Sequence, residues 1–94
     1  MNIGNAIKKI RQDKGFAQGE FAIKCNLSQT SLSQIETGVK RPNPKNFKNI
    51  CKNLGIPEAL IYLYALEDDD IPQKKKEFFK TMYPIVMDLV GKLV

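Results

Sequence analysis

Histidine is absent from this 94-residue chain, and cysteine occurs only twice, at Cys25 and Cys51. Without histidine, and with the two cysteines at no close metal-type spacing, the sequence offers no structural zinc site. The same absence removes the commonest general base. No glycine-rich phosphate loop replaces it, and neither thiol has an activating partner in sequence. The expectation is therefore no enzyme, no metal and no cofactor. The opening MNIGNAIKKI has no apolar signal region, and no apolar run reaches membrane-spanning length. A cytoplasmic protein without a membrane partner is expected. Both cysteines fall at apolar positions of predicted helices, where a reduced thiol packs as a small hydrophobe. The acidic run Asp68 to Asp70 is read as a solvated linker, because no loop of the calcium-binding kind follows it.

What is present points one way. A hydrophobic content of 43% supports one domain with a small core, or one domain with an appendage. The net charge of +5 is unevenly spread. Residues 1–54 hold 10 Lys and Arg against 3 acids, a net of +7, whereas residues 55–94 hold 5 Lys against 7 acids, a net of −2. A surface that meets phosphates belongs in the basic half.

Five short helices are predicted over residues 1–66. Ile3, Ile7 and Ile10 share one face of the first, which Gly15 ends. Phe21, Ala22, Cys25, Leu27, Leu32 and Ile35 place two short amphipathic helices around a hinge at Asn26 and Leu27. Ser28 caps the second of these, which runs from about Gln29 to Thr37. Its outward face carries Gln29, Thr30, Ser33 and Gln34, uncharged hydrogen-bonding side chains suited to base edges. Asn43 and Pro44 start a fourth helix, which buries Phe47, Ile50, Cys51 and Leu54 and stops at Gly55. Pro57 opens a fifth through Leu66. The pattern reads as a DNA-binding helix-turn-helix.

The stretch Gln18 to Gly38 resembles the helix-turn-helix of the lambdoid phage repressor and Cro proteins, the Xre type. The matching features are Gln18 opening one helix, Glu20 and Ala22 within it, Ser28-Gln29 starting the next, and Ile35-Glu36-x-Gly38 ending it. With the flanking helices, the resemblance covers roughly Ile3 to Leu66. Two positions depart from it: Asn26 stands where the family usually has glycine, and Ala17 where it usually has a Ser or Thr cap. The implied fold is all-α, a five-helix lambda-repressor-like bundle.

The resemblance also implies roles. Gln29 and Gln34 match base-reading positions, and a Gln amide pairs bidentately with adenine; Thr30 and Ser33 share their face. Gln18, at the start of the helix that crosses the DNA backbone, is expected on a phosphate, as are Ser31, Lys40, Arg41, Lys45 and Asn46. Arg11 and Glu36 are implied to form an ion pair within the protein.

Residues 67–72 read as an acidic linker, and 73–94 as a sixth, apolar helix beginning near Pro72. Phe78, Met82, Ile85, Leu89 and Leu93 trace one stripe; Phe79, Val86, Val90 and Val94 trace a second. Pro84 predicts a kink or a break. A face this wide needs cover. The leading expectation is a repressor that binds an inverted-repeat operator as a homodimer, with Phe78, Phe79, Met82, Ile85, Val86 and Leu89 at the interface. Two alternatives stand beside it. In one the chain is an antitoxin whose residues 71–94 hold a toxin; in the other that segment folds back on its own bundle.

Overall fold

The computed structural model describes residues 1–93, and every regular element among them is helical. Helix α1 spans Ile3–Asp13, α2 Gln18–Lys24, α3 Gln29–Glu36, α4 Pro44–Leu54, α5 Glu58–Ala65 and α6 Lys76–Leu93. Local chemistry sets most of the boundaries. The Asn2 side chain accepts from the Asn5 amide at 3.0 Å, Ser28 Oγ from Ser31 at 3.0 Å, and Asn43 from Asn46 at 2.7 Å. Each satisfies an amide that the first helical turn leaves without a partner. Ala17 makes no side-chain cap bond to α2. Helix α4 starts with Pro44 at its first position and ends on Gly55, which takes the left-handed conformation at φ 71°.

Between α2 and α3 the chain reverses through Asn26, whose φ of 57° makes it the one non-glycine residue with positive φ among those described. Asparagine enters this region more readily than most residues, so the tight turn forms without glycine. The turn is tied to α4 as well: Asn49 Nδ2 donates to the Cys25 carbonyl at 2.7 Å.

The core joins all five bundle helices. It contains Ile7 and Ile10 of α1, Phe21 and Ala22 of α2, Leu32 and Ile35 of α3, and Phe47, Ile50, Cys51 and Leu54 of α4. Ile56, Ile61 and Ala65 close it from the α5 side. Gly4 lets the start of α1 lie against the end of α3; a Cβ there would run into the Ile35 carbonyl oxygen. Helix α3 is thus held from behind by α1 and α2, which leaves its opposite face outside.

Past the bundle, Glu67 to Asp70 are exposed and carry local structure. Asp68–Asp70 form a 3₁₀ turn in which the Glu67 amide donates to the Asp70 carboxylate at 2.9 Å. The amino group of Met1 reaches Glu67 at 2.9 Å and Asp70 at 2.8 Å. This ammonium, hydrogen-bonded to the Asp70 carboxylate, holds that carboxyl below its ordinary pKa. The sixth helix begins in two stages. A second 3₁₀ turn, Gln73–Lys75, follows Pro72, and α-helical geometry starts at Lys76.

Of the two outcomes expected at Pro84, the chain does not take the break, and α6 runs through the proline. Proline removes the amide that would donate to the Lys80 carbonyl. Lys80 and Pro84 both lie on the exposed side, where water can take that carbonyl. The preceding residue, which proline pushes away from helix, is anchored. Tyr83 donates its hydroxyl to the Leu63 carbonyl at 2.8 Å and stacks on Phe79 with ring centroids 4.7 Å apart.

Through Phe79, Tyr83, Met87 and Val90, α6 lies back on its own bundle. The fit is loose, with an open cleft of about 280 Å³ lined by Asn5, Ala6 and Lys9 of α1, Tyr64, Tyr83 and Met87. Val94 and the Leu93 side chain, both assigned to the sequence stripes, lie outside the described residues.

Candidate nucleic-acid interface

Helix α3 presents two different sides. Leu32 and Ile35 are buried in the core, while Gln29, Thr30 and Gln34 are exposed and Ser31 and Ser33 are half-buried. No side-chain hydrogen bond engages Thr30 or Gln34 among the described residues, so both remain available to an outside partner. The Ser33 and Gln34 carbonyls receive the Thr37 hydroxyl at 2.9 and 3.3 Å, which closes the last turn.

Gln29 is not free to turn at random. A chain of polar groups runs to it from the interior. Arg11 Nε donates to Glu36 Oε2 at 2.7 Å, and Arg11 Nη2 to Glu36 Oε1 at 3.0 Å. Arg11 Nη1 donates to the Phe16 carbonyl at 2.6 Å. Gln18 Nε2 donates to the same Glu36 Oε1 at 3.0 Å, and Gln18 Oε1 accepts from Gln29 Nε2 at 3.3 Å. The polarity of this chain follows from its ends. Arginine only donates and a carboxylate only accepts, so the Gln18 amide must turn its nitrogen to Glu36 and its oxygen to Gln29. Gln29 therefore uses one N–H inward and keeps its carbonyl and its second N–H. Those are the two groups with which a Gln amide addresses adenine.

The ion pair is buried, with side-chain exposures of 6% for Arg11 and 1% for Glu36. Glu36 thus stands among donors inside the protein, away from any phosphate. The Gln18 side chain is likewise engaged internally, so a phosphate contact from this residue would rest on its remaining N–H or on its backbone amide.

Lys40, Arg41 and Lys45 are exposed, and none forms an ion pair among the described residues. Lys40 and Arg41 sit in the loop after α3, where the Lys40 amide donates to the Gln34 carbonyl at 3.1 Å. Lys45 and the half-buried Asn46 lie in the first turn of α4. Behind this loop a depression of about 480 Å³ opens between the start of α1 and the Phe47–Tyr62 aromatic pair. Burial pushes the Cys25 thiol up to about 11, and burial together with the Glu58 charge does the same at Cys51. Both thiols are protonated at neutral pH, and neither is a nucleophile there.

Two contributors escaped the sequence reading. Gly19 lies under Gln29: a Cβ added there would stand 3.1 Å from Gln29 Oε1. The signal was a glycine in the first turn of a short helix, where helix propensity disfavours it. Asn49 clamps the turn before α3, and nothing in an internal asparagine of α4 distinguishes such a clamp from a solvated residue.

A family profile described as Helix-turn-helix matches residues 7–61, more than half of the chain. The chain belongs to the Xre/Cro-type helix-turn-helix family. Among solved structures, it resembles the clp gene regulator ClgR from Corynebacterium glutamicum at 30% identity and a TM-score of 0.65. That match covers 68% of this chain and 83% of ClgR. A point mutant of the restriction-modification controller protein C.Esp1396I is 33% identical over 65% of this chain and 79% of its own, with a TM-score of 0.60. A second ClgR structure superimposes on 97% of this chain and 89% of its own at a TM-score of 0.66; at 22% identity it speaks to the fold alone. No curated protein sequence matches the chain. Membership fits what the residues build: a capped helix held from behind, with an uncharged polar face on the basic half of the protein.

Proposed function

We propose that this member of the family is a sequence-specific DNA-binding transcriptional regulator, a cytoplasmic repressor that occupies an inverted-repeat operator as a homodimer. The observation that carries the proposal is the Arg11–Glu36–Gln18–Gln29 chain, which orients the Gln29 amide at the start of α3 and supports its use on a base. Gln29 and Gln34 read base edges in the major groove, with Thr30 and Ser33 beside them. Gln18, Ser31, Lys40, Arg41, Lys45 and Asn46 meet phosphates and set the register. Arg11 and Glu36 hold the recognition helix and do not touch DNA.

Residues 1–66 form the DNA-binding unit, 67–72 connect it, and 73–94 provide the pairing surface. One recognition helix reads only a few base pairs, so useful specificity needs a second copy about one DNA turn away. Repression requires nothing beyond such occupancy. The homodimer reading is preferred to the antitoxin alternative because the exposed apolar residues of α6 lie on one side of a continuous helix whose other side is bonded to α5.

Selection of bound duplexes from a random library with purified protein, near physiological salt, tests the reading. Enrichment of an inverted repeat with half-sites about one helical turn apart is the expected result. Binding with no enriched motif would refute it.

A further inference from the structure

Helix α6 divides into three sectors when its residues are placed at about 100° intervals, the spacing of 3.6 residues per turn. Phe79, Tyr83, Met87 and Val90 fall together on the side that rests on the bundle. Glu77, Lys80, Thr81, Pro84, Asp88 and Lys92 fall together on a polar side. The third sector, about a third of a turn from the bundle side, holds Phe78, Met82, Ile85, Val86 and Leu89. Their exposures are 67%, 38%, 53%, 38% and 57%. Five contiguous apolar side chains at this level of exposure form a patch that a monomer leaves uncovered.

We propose that this sector pairs with the same sector of a second copy, the two α6 helices running antiparallel about a two-fold axis beside Pro84. The inference deepens the homodimer reading and rests on it. The steps between Phe78, Met82, Ile85 and Leu89 are four, three and four residues, the spacing of a coiled-coil seam. That sequence of steps is the same read from either end. In an antiparallel pair, Phe78 therefore stands opposite Leu89 of the second copy, and Met82 opposite Ile85. Two apolar layers repeat by symmetry, and Val86 flanks one edge. Each self-symmetric contact is of the kind a two-fold interface requires.

Charge decides the direction. The amino-terminal end of the segment carries Lys74, Lys75, Lys76 and Lys80 against Glu77 alone, while the carboxy-terminal part carries Asp88 and Lys92. Parallel helices would set the lysine-rich ends side by side; antiparallel helices set each against the neutral end of the other. The helix dipoles act in the same sense, because the positive amino terminus then lies beside the negative carboxy terminus. Pro84 falls in the polar sector, away from the seam, where the unpaired Lys80 carbonyl stays in water.

Cysteine crosslinking of the full chain reads the arrangement directly. Phe78→Cys and Leu89→Cys change exposed side chains, and the native thiols are buried. Mixed together and oxidised, the two variants should form a covalent dimer between position 78 of one copy and position 89 of the other. Either variant alone should crosslink about tenfold more slowly or less. Its like positions would be eleven residues apart along the helix, about 16 Å, against a disulfide limit of roughly 7 Å between Cα atoms. Rapid self-crosslinking of Phe78→Cys would instead establish a parallel pair and overturn the proposal. So would the absence of any covalent dimer in the mixture while circular dichroism shows the helices intact. As an independent check, Ile85→Lys should turn the dimer into a monomer in sedimentation at unchanged helicity; an unchanged dimer would also overturn it. An inverted repeat selected by a protein that fails these tests would leave the homodimer reading standing and place the contact elsewhere. Crosslinking in the expected register without any selected operator would uphold the pairing and remove the DNA reading.

Discussion

Replacing the buried ion pair tests the physical link between the interior and the face of α3 proposed to read bases. Arg11 and Glu36 are almost wholly enclosed, so the small contribution of an exposed pair, about 0–1 kcal/mol, is the wrong scale. Removing one partner strands the other in a poor solvent, and such losses run at about 3–5 kcal/mol. Arg11→Met leaves the Glu36 carboxylate with Gln18 as its sole side-chain donor. Glu36→Leu leaves Arg11 with the Phe16 carbonyl, which already accepts from it at 2.6 Å. The arginine also has the longer reach to water, so Arg11→Met should be the more damaging of the two. For a domain of this size about 3 kcal/mol corresponds to a fall in Tm of roughly 12 °C or more.

The double variant is the decisive member. Arg11→Met with Glu36→Leu removes both charges and leaves apolar groups of similar bulk, an exchange that is often neutral or stabilising at buried pairs. It should be more stable than Arg11→Met alone, with a coupling energy of about 2 kcal/mol or more in urea unfolding followed by circular dichroism. If the two single losses add to within about 0.5 kcal/mol, Arg11 and Glu36 are not coupled and do not act as a unit. The double variant should still lose operator discrimination, because nothing then holds the Gln18 amide in the orientation that fixes Gln29.

The other expectations concern the face, the loop, the packing and the thiols. Gln29→Ala should relax preference at one position per half-site, by about 1–3 kcal/mol of discrimination; Gly19→Ala, which crowds Gln29 Oε1, should shift the same position with little loss of stability. Equal weakening on every sequence would count against base readout in both cases. Lys40→Ala with Arg41→Ala should weaken binding to all duplexes and lower the salt-dependence slope by roughly two, one per lost phosphate contact; an unchanged slope removes the loop from the phosphates. Gly4→Ala should destabilise by about 1–3 kcal/mol, as overpacking does, because the Ile35 carbonyl blocks the added carbon; an unchanged urea midpoint would mean that α1 shifts freely against α3. Cys25 and Cys51, with pKa values of about 11, should react with a thiol reagent at neutral pH about a hundredfold more slowly than exposed thiols, and at full rate in denaturant. Fast reaction of the native protein would place either residue outside the core.

Most of α1 to α5 was legible in the sequence because its signals are local. Ser28 and Asn43 sit one residue before the helices they cap, Gly55 one residue after the helix it ends, and the apolar spacing of Ile7, Ile10, Phe21, Leu32 and Ile35 needs no knowledge of the partner surface. The exposed set on α3 was legible for the same reason, since burying Leu32 and Ile35 leaves only one side for Gln29, Thr30 and Gln34. What Gln18 does was not legible. Its amide is turned by Glu36, eighteen residues later, and by Gln29, eleven later, and no local pattern encodes which way an amide faces.

The last helix shows the same limit at larger scale. Apolar spacing reveals how wide its face is, and width carries no direction: Phe78 and Phe79 are equally apolar, and it is the docking of α6 on the bundle, through the Tyr83 bond to the Leu63 carbonyl and the burial of Val90, that turns Phe79 inward and Phe78 outward. The tyrosine bond also anchors the residue before Pro84. The expectation of a kink or a break weighed the proline's local cost, about 3 kcal/mol in a helix interior. Against it stand the tyrosine bond, the Phe79 stack and the burial of Val90, which together hold the helix in place on both sides of the proline. A helix is interrupted at proline when nothing else holds its two halves in line. Here the bundle holds one side, which is why the remaining apolar sector of α6 can run unbroken from Phe78 to Leu89 as a surface fit for a partner.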